Sequence, residues 1–366
     1  MLEHGGRLRA AVLRWGLARE QWLDLSTGIS PWSWLAERAA PISLDAWQRL
    51  PEDDDGLAEA AAAYYGVAVL PVAGSQAAIQ ALPRLRKPGR VGMLTGCYAE
   101  HALCWQRAGH VVIALDAEAI DTAVDSLDVL LLVHPDNPSG VVHERRRLLD
   151  WQARLAARGG WLIVDEAFID ATPALSLADE TPRAGLIVLR SLGKFFGLAG
   201  ARVGFALAEA ALREALAEQL GPWAIAGPAR QIAMLALQDR DWQAQQRKRL
   251  HEASARLHGL MADAGLPADG GCALFQRYRG EQAAALHEAL AERGILTRLH
   301  SEPAPSLRLG LPATEADWQR LAEAFAGRVA TRRSDGCAIT TGRFDGRAKA
   351  MATMAARDPP DDRITS

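Results

Sequence analysis

Between about Val67 and Ala208, short apolar runs alternate with stretches of helical period. The runs are Val91–Leu94, His110–Leu115, Val129–Val133, Trp161–Val164, Leu186–Leu189 and Val203–Leu207. Runs this short, with little polar alternation, fit strands buried on both faces. Their interleaving with helices predicts an α/β fold with a mostly parallel central sheet and helices on both faces. From Ala210 to Ala264 the pattern is mainly helical, with a break near Gly221-Pro222. Residues 265–328 read as a smaller α+β unit, with runs at Cys272–Tyr278, Ile295–Leu299 and Ser306–Leu309 and helical patterns at Glu281–Arg293 and Glu315–Ala326. The first 50 residues are irregular, Trp-rich and punctuated by proline, and are expected to form an arm over the site or over a partner subunit. Residues 329–366 lack apolar periodicity and are expected to be a disordered tail. The predicted organisation is an arm (1–50), a large domain (51–240), a small C-terminal domain (241–328) and the tail (329–366).

Composition narrows the function classes. A chain of 366 residues, 49% of them hydrophobic, can build a sizeable core. A formal net charge of -3 argues against a nucleic-acid partner. No apolar run approaches the roughly 18 residues of a membrane span. The start, Met1-Leu2-Glu3-His4-Gly5-Gly6-Arg7, lacks the apolar stretch of a secretory signal, so a cytoplasmic location is expected. Cys97, Cys104, Cys272 and Cys337 form no CxxC pair and no metal-ligand spacing, and read as free thiols with no metal.

In open α/β sheets, ligands bind at the carboxyl ends of strands, so the polar residues there are the candidates. The run Leu186–Leu189 leads into Ser191-Leu192-Gly193-Lys194-Phe195-Phe196-Gly197-Leu198-Ala199-Gly200-Ala201-Arg202-Val203-Gly204. A lysine delivered by a buried strand between glycines and phenylalanines is placed to be desolvated. Desolvation lowers an amine's pKa and makes it a nucleophile toward an aldehyde. Ser191 and Arg202 are groups that hold a phosphate. An aldehyde that carries a phosphate and forms a Schiff base with lysine is pyridoxal 5'-phosphate. By itself the stretch also reads as a lysine at a helix start beside a structural arginine.

The other strand ends add weaker signals. Gly74-Ser75-Gln76 opens a helix and suits either an anion or an ordinary serine cap. In His134-Pro135-Asp136-Asn137-Pro138-Ser139-Gly140 the prolines stiffen a turn and fix the Asn137 amide, as a ligand group or as an Asx turn. Asp165, in Val164-Asp165-Glu166-Ala167-Phe168, ends a buried strand and needs a cationic partner, such as a protonated pyridine nitrogen. A magnesium-binding aspartate of Walker type is opposed by the absence of GxxxxGK[ST]. Tyr98 could stack on a planar ring or be an ordinary half-buried tyrosine.

Taken jointly, the NPxG, DEAF and SLGKxxGLxGxRxG motifs over roughly residues 1–328 resemble the fold type I pyridoxal-phosphate enzymes, the class I/II aminotransferase-like superfamily. The resemblance implies that Lys194 carries the cofactor and shuttles protons, Asp165 pairs with the pyridine nitrogen and Asn137 binds the ring O3'. It implies that Tyr98 stacks on the ring, and that Gly74, Ser75, Gln76, Ser191 and Arg202 hold the phosphate. Arg308, in Ser306-Leu307-Arg308-Leu309-Gly310, looks like the family's clamp for a substrate α-carboxylate. A homodimer is also implied.

Four features narrow the resemblance: His4-Gly5-Gly6; Leu23-Asp24-Leu25-Ser26-Thr27-Gly28-Ile29-Ser30-Pro31, similar to a DFSxNINP-type segment; Phe168 after Asp-Glu-Ala; and Lys-Phe-Phe-Gly-Leu-Ala-Gly. Together they are similar to the L-threonine-O-3-phosphate decarboxylases of cobalamin biosynthesis. His4, Gly5 and Gly6 with Asn137 and Arg308 are then the expected substrate grips, and the substrate a small phosphorylated amino acid. An aminotransferase of histidinol-phosphate type is the alternative. A non-catalytic protein on the same fold is opposed by the intact Lys194, Asp165 and Asn137. The chain departs from its relatives at Phe168, where a tyrosine usually donates to O3', and at Leu50, where a tyrosine often reaches the neighbouring subunit's cofactor phosphate.

Overall fold

The computed structural model describes residues 4–38, 41–301 and 304–335, with 327–335 described by their backbone. The strands in chain order are β1 (Leu23–Asp24), β2 (Leu70–Val72), β3 (Arg90–Leu94), β4 (Val111–Leu115), β5 (Val129–Val133), β6 (Trp161–Asp165), β7 (Leu186–Ser191) and β8 (Gly204–Leu207). They are followed by β9 (Gly270–Cys272), β10 (Phe275–Arg279), β11 (Ile295–Leu296), β12 (Arg298–His300) and β13 (Ser306–Gly310).

The large sheet has seven strands in the order β2-β8-β7-β6-β5-β3-β4. Strands β3 to β7 pair parallel, while β8 runs antiparallel to both of its neighbours. Every residue of β5, β6 and β7 is buried, which is why these strands read as unbroken apolar runs. The sequence pattern did not reveal β2. Its Pro71 lacks an N–H, which a sheet tolerates at an edge, and β2 is an edge strand. Leu148, Trp151 and Leu155 are the buried stripe of the helix Arg145–Ala156, which packs on β6.

The reversed strand matters for the site. Strands β2, β3, β5, β6 and β7 all end at one edge of the sheet, and β8 begins there. Val72 and Ser191 both pair with Gly204. A Cβ on Gly204 would lie 2.5 Å from the Ser75 nitrogen and 2.7 Å from the Arg190 carbonyl oxygen, so this junction closes only around glycine.

A second, antiparallel sheet has the order β12-β13-β10-β9. The runs expected at Cys272–Tyr278 and Ile295–Leu299 are each divided. A turn at Ala273-Leu274 separates β9 from β10, and Thr297 separates β11 from β12. Strand β11 pairs parallel with β1, so the stretch 1–50, expected as an arm, supplies a strand to the C-terminal part of the chain. The segments expected as arm, large domain and small domain lie in one compact unit that ends at Ala326. The break foreseen near Gly221-Pro222 is the loop between helices Ala210–Leu220 and Gly227–Gln238. The last helix, Glu315–Asp335, runs past residue 328, which corrects the expected start of the tail. No proline interrupts that stretch, and its Arg and Ala residues are good helix formers despite the missing apolar period. Residues 336–366, and Cys337 with them, lie outside the described residues.

Trp151 is fully buried, and its Nε1 donates to Asp121 Oδ1 at 2.5 Å. Trp151→Ala should cost about 3–5 kcal/mol. A denaturant midpoint left at the wild-type value would show that the layer covering β6 contributes little.

Candidate active site

A cavity of about 430 Å³ opens at the carboxyl edge of the large sheet. Nine of the residues picked out from the sequence line it. Ser75 and Gln76 follow β2, Tyr98 follows β3, Asn137 follows β5, and Asp165 ends β6. Ser191 and Lys194 come from β7 and its exit, Arg202 precedes β8, and His4 closes the outer side. Gly74, Gly5, Gly6 and Arg308 are not among the lining residues.

Gly74 adopts φ 70° and ψ 157°, a region open to glycine alone without strain. A Cβ there would come within 2.6 Å of Arg202 Nη2, so the missing side chain lets the guanidinium lie against the backbone. Arg202 itself has φ 53°, uncommon for a residue with a side chain. The hydroxyls of Ser75 and Ser191 and the Arg202 guanidinium thus share one end of the cavity.

Asp165 is 3% exposed. Its Oδ1 accepts from the Ala167 N–H at 3.1 Å, and its Oδ2 lies 2.9 Å from His101 Nε2. His101, 1% exposed, was missed in the sequence, and its Nδ1 has no partner among the described residues. One signal could have found it: it stands three residues after Tyr98 at the start of the helix Ala99–Arg107, where that spacing shares a face. The rings of Tyr98 and His101 meet edge to face at 5.9 Å. Burial, reinforced by Asp165, pushes the Tyr98 phenol up to about 12 and keeps it neutral.

Lys194 retains intermediate exposure as part of the cavity wall. Even so, burial is the largest influence on its amine. With the charges of Arg308 and Arg202, and against that of Asp165, burial lowers the amine to about 8. The Nζ lies 5.3 Å from the Phe168 ring centre. Phe168 packs edge-on against Phe275, and Leu50 is an exposed residue outside the cavity wall.

Arg308, on β13, is 6% exposed. Its Nη1 donates to Asn137 Oδ1 and its Nη2 to the Ser26 carbonyl at 2.8 Å. Its Nε has no acceptor and its charge no carboxylate among the described residues. Burial lowers it to about 10. A buried guanidinium left in this state is ready for an anion. Ser26, which the sequence gave no firm role, also takes the Gly6 N–H on its Oγ at 2.7 Å. A Cβ on Gly5 would lie 2.3 Å from the Ser26 carbonyl oxygen. His4 Nε2 lies 2.9 Å from Glu100 Oε1, and Gln76 Nε2 donates to Glu100 Oε2 at 3.1 Å. Glu100 is thus a further wall residue that the sequence did not single out. Among the described residues no cluster could hold a metal ion, and no helix is long and apolar enough to cross a membrane.

A near-neutral lysine, a buried carboxylate backed by histidine, and a serine–arginine end joined by a flat aromatic wall fit pyridoxal 5'-phosphate in their donor chemistry. Residues 50–325 match the family of class I and II aminotransferases, and the chain belongs to that family. It is 60% identical over 328 residues to a threonine-phosphate decarboxylase of Pseudomonas aeruginosa, a match covering 89% of this chain and 98% of that protein. It is 42% identical over 336 residues to a threonine-phosphate decarboxylase of a Sinorhizobium species, covering 88% and 97%. Among solved structures, the L-threonine-O-3-phosphate decarboxylase of Porphyromonas gingivalis superposes with a TM-score of 0.71 at 21% identity, over 84% of this chain and 99% of that one, a likeness of fold. The cofactor is pyridoxal 5'-phosphate.

With Lys194 lowered to about 8, roughly a quarter of the amine is neutral at pH 7.5, against about one in a thousand for an unperturbed lysine. The neutral form is the nucleophile, so reactivity rises with pH. Reductive labelling of cofactor-free protein with pyridoxal should reach its plateau through a midpoint near 8; a midpoint near 10.5 would contradict the effect of burial.

Proposed function

We propose that the chain decarboxylates L-threonine O-3-phosphate to (R)-1-amino-2-propanol O-2-phosphate, the nucleotide-loop linker of cobalamin, in the cytoplasm. The observation that carries this reading is the match, at 60% identity over 89% of the chain, to a protein named for that activity. The site's chemistry supports it, since a buried arginine without a carboxylate partner suits an amino acid that brings its own anionic groups.

Pyridoxal 5'-phosphate, when bound, supplies the sink for the electron pair left at Cα when a bond there breaks. Gly74, Ser75, Gln76, Ser191 and Arg202 hold its phosphate end, and Tyr98 covers the ring. Asp165 keeps the ring nitrogen protonated, and His101 fixes that carboxylate from behind at 2.9 Å. Asn137 binds O3' without help from residue 168, since Phe168 has no hydroxyl. Arg308, anchored on Asn137 and Ser26, takes the α-carboxylate, and His4 with the backbone of Gly5 and Gly6 positions the substrate from the outer side. These grips would fix the substrate's carboxylate and phosphate ends, and so would decide whether CO2 or a proton is lost from Cα. Lys194, about half of it still protonated near pH 8, would return a proton to Cα from its ammonium form.

Incubation of the protein with pyridoxal phosphate and L-threonine O-3-phosphate should release CO2 without any 2-oxo acid, and Lys194→Ala should reduce release to background. Glutamate formed from 2-oxoglutarate and histidinol phosphate, with no CO2 from threonine phosphate, would replace this reading by the aminotransferase one.

The homodimer belongs to the same proposal. Leu44, Trp47 and Leu50 are exposed on a segment packed against the helix Gly227–Gln238, which itself exposes Leu235. Clustered apolar surface of this kind favours a second copy of the chain. Light scattering should give twice the 39.4 kDa of one chain, and Trp47→Glu should shift the particle toward monomer. A wild-type monomer would overturn the assignment.

A further inference from the structure

Glu166 and Arg190 stand next to Asp165 and Ser191, but neither lines the active-site cavity. Successive residues along a strand point to opposite faces. Arg190 instead lines a separate cavity of about 330 Å³, whose walls also include Tyr64, Tyr65, Arg240 and Arg247.

Arg190 is 2% exposed. Its Nη1 donates to Glu166 Oε2 at 2.9 Å and Ser176 Oγ at 3.0 Å, and its Nη2 donates to Asp170 Oδ1. Its Nε has no acceptor among the described residues, and neither has the hydroxyl of the buried Tyr65 a partner. Arg240 gives one hydrogen bond, to the Ala63 carbonyl at 2.8 Å. Arg247 gives two, to the Asp170 carbonyl at 2.9 Å and Tyr64 Oη at 3.3 Å. Neither guanidinium forms an ion pair among the described residues, and each has five N–H groups to place. The carboxylates nearby are engaged, save that Asp170 Oδ2 has no hydrogen-bond partner among the described residues. Glu166 and Asp170 hold Arg190, and Asp179, which also lines the cavity, is 2.7 Å from Arg145.

We propose that this cavity is a second anion site that binds a small oxyanion of the phosphate class, held by Arg240 and Arg247 at its mouth and by Arg190 Nε and the Tyr65 hydroxyl within. The planar fork of arginine matches the oxygens of such an anion, and two forks lack a carboxylate to occupy them. The site is distinct from the end of the active-site cavity formed by Ser75, Ser191 and Arg202. None of those residues lines it.

Holoenzyme, its cofactor in place, is titrated calorimetrically with inorganic phosphate against chloride of equal ionic strength, beside Arg240→Gln/Arg247→Gln. The wild type should show a saturable component that weakens at least about tenfold in the double variant, while the variant keeps wild-type cofactor absorbance. Equal titrations in the two proteins would place all phosphate binding elsewhere, the active site included, and overturn the proposal. So would the absence of any saturable component in the wild type. Should the double variant lose its cofactor absorbance, Arg240→Gln alone, at an exposed position, is read in the same way.

Discussion

Lys194, Asp165 and Arg308 bring formal charge to a place from which water is largely shut out, and their surroundings are arranged so that each charge is matched or left ready for a ligand. Burial of an ion is costly unless hydrogen bonds or an opposite charge offset it. Asp165 is met by His101 and by a backbone N–H. Arg308 is met by an amide and a carbonyl, which take two of its donors but leave its Nε without an acceptor and its charge without a carboxylate among the described residues. Lys194 has no carboxylate bond among the described residues, and its amine is lowered until a neutral form is common. The three therefore present different states to whatever enters: an anion, a cation and a nucleophile in partial equilibrium with its cation.

The single reversed strand is what lets Gly74, Ser191 and Arg202 meet. In a wholly parallel sheet the residues just before a strand would lie at the edge opposite to those just after its neighbour. Because β8 is antiparallel, Arg202 at its start meets Gly74 after β2 and Ser191 at the end of β7. Gly204 makes the meeting close, since any side chain there would strike the backbone of two neighbouring segments.

Much of this was legible in the sequence, for physical reasons that differ from residue to residue. The runs that became β5, β6 and β7 stood out because strands buried on both faces have no polar alternation. Lys194, Asp165, Asn137 and Arg202 could be found because they sit at the ends of those runs. What escaped notice carries weaker marks. Strand β2 is short and contains a proline, and β8 gives no sign of its direction. His101 lies on a helix face, where a histidine looks like any half-buried polar residue. Ser26 acts partly through its carbonyl oxygen, which every residue possesses and no sequence motif announces.

The pairing of Leu23 with Ile295 joins the two ends of the compact unit across about 270 residues of chain. Contacts so distant in sequence are made last, because the intervening loop must close first. On a ribosome adding roughly 5–20 residues per second, the N-terminal segment waits on the order of ten to fifty seconds before its partner strand has been synthesised. The hold of Ser26 on Arg308 cannot form before then. The large sheet can form while that part of the chain is still being made, but the contact of Ser26 with Arg308 is a late one. During that interval the apolar residues of the N-terminal segment are exposed to other chains in the cell.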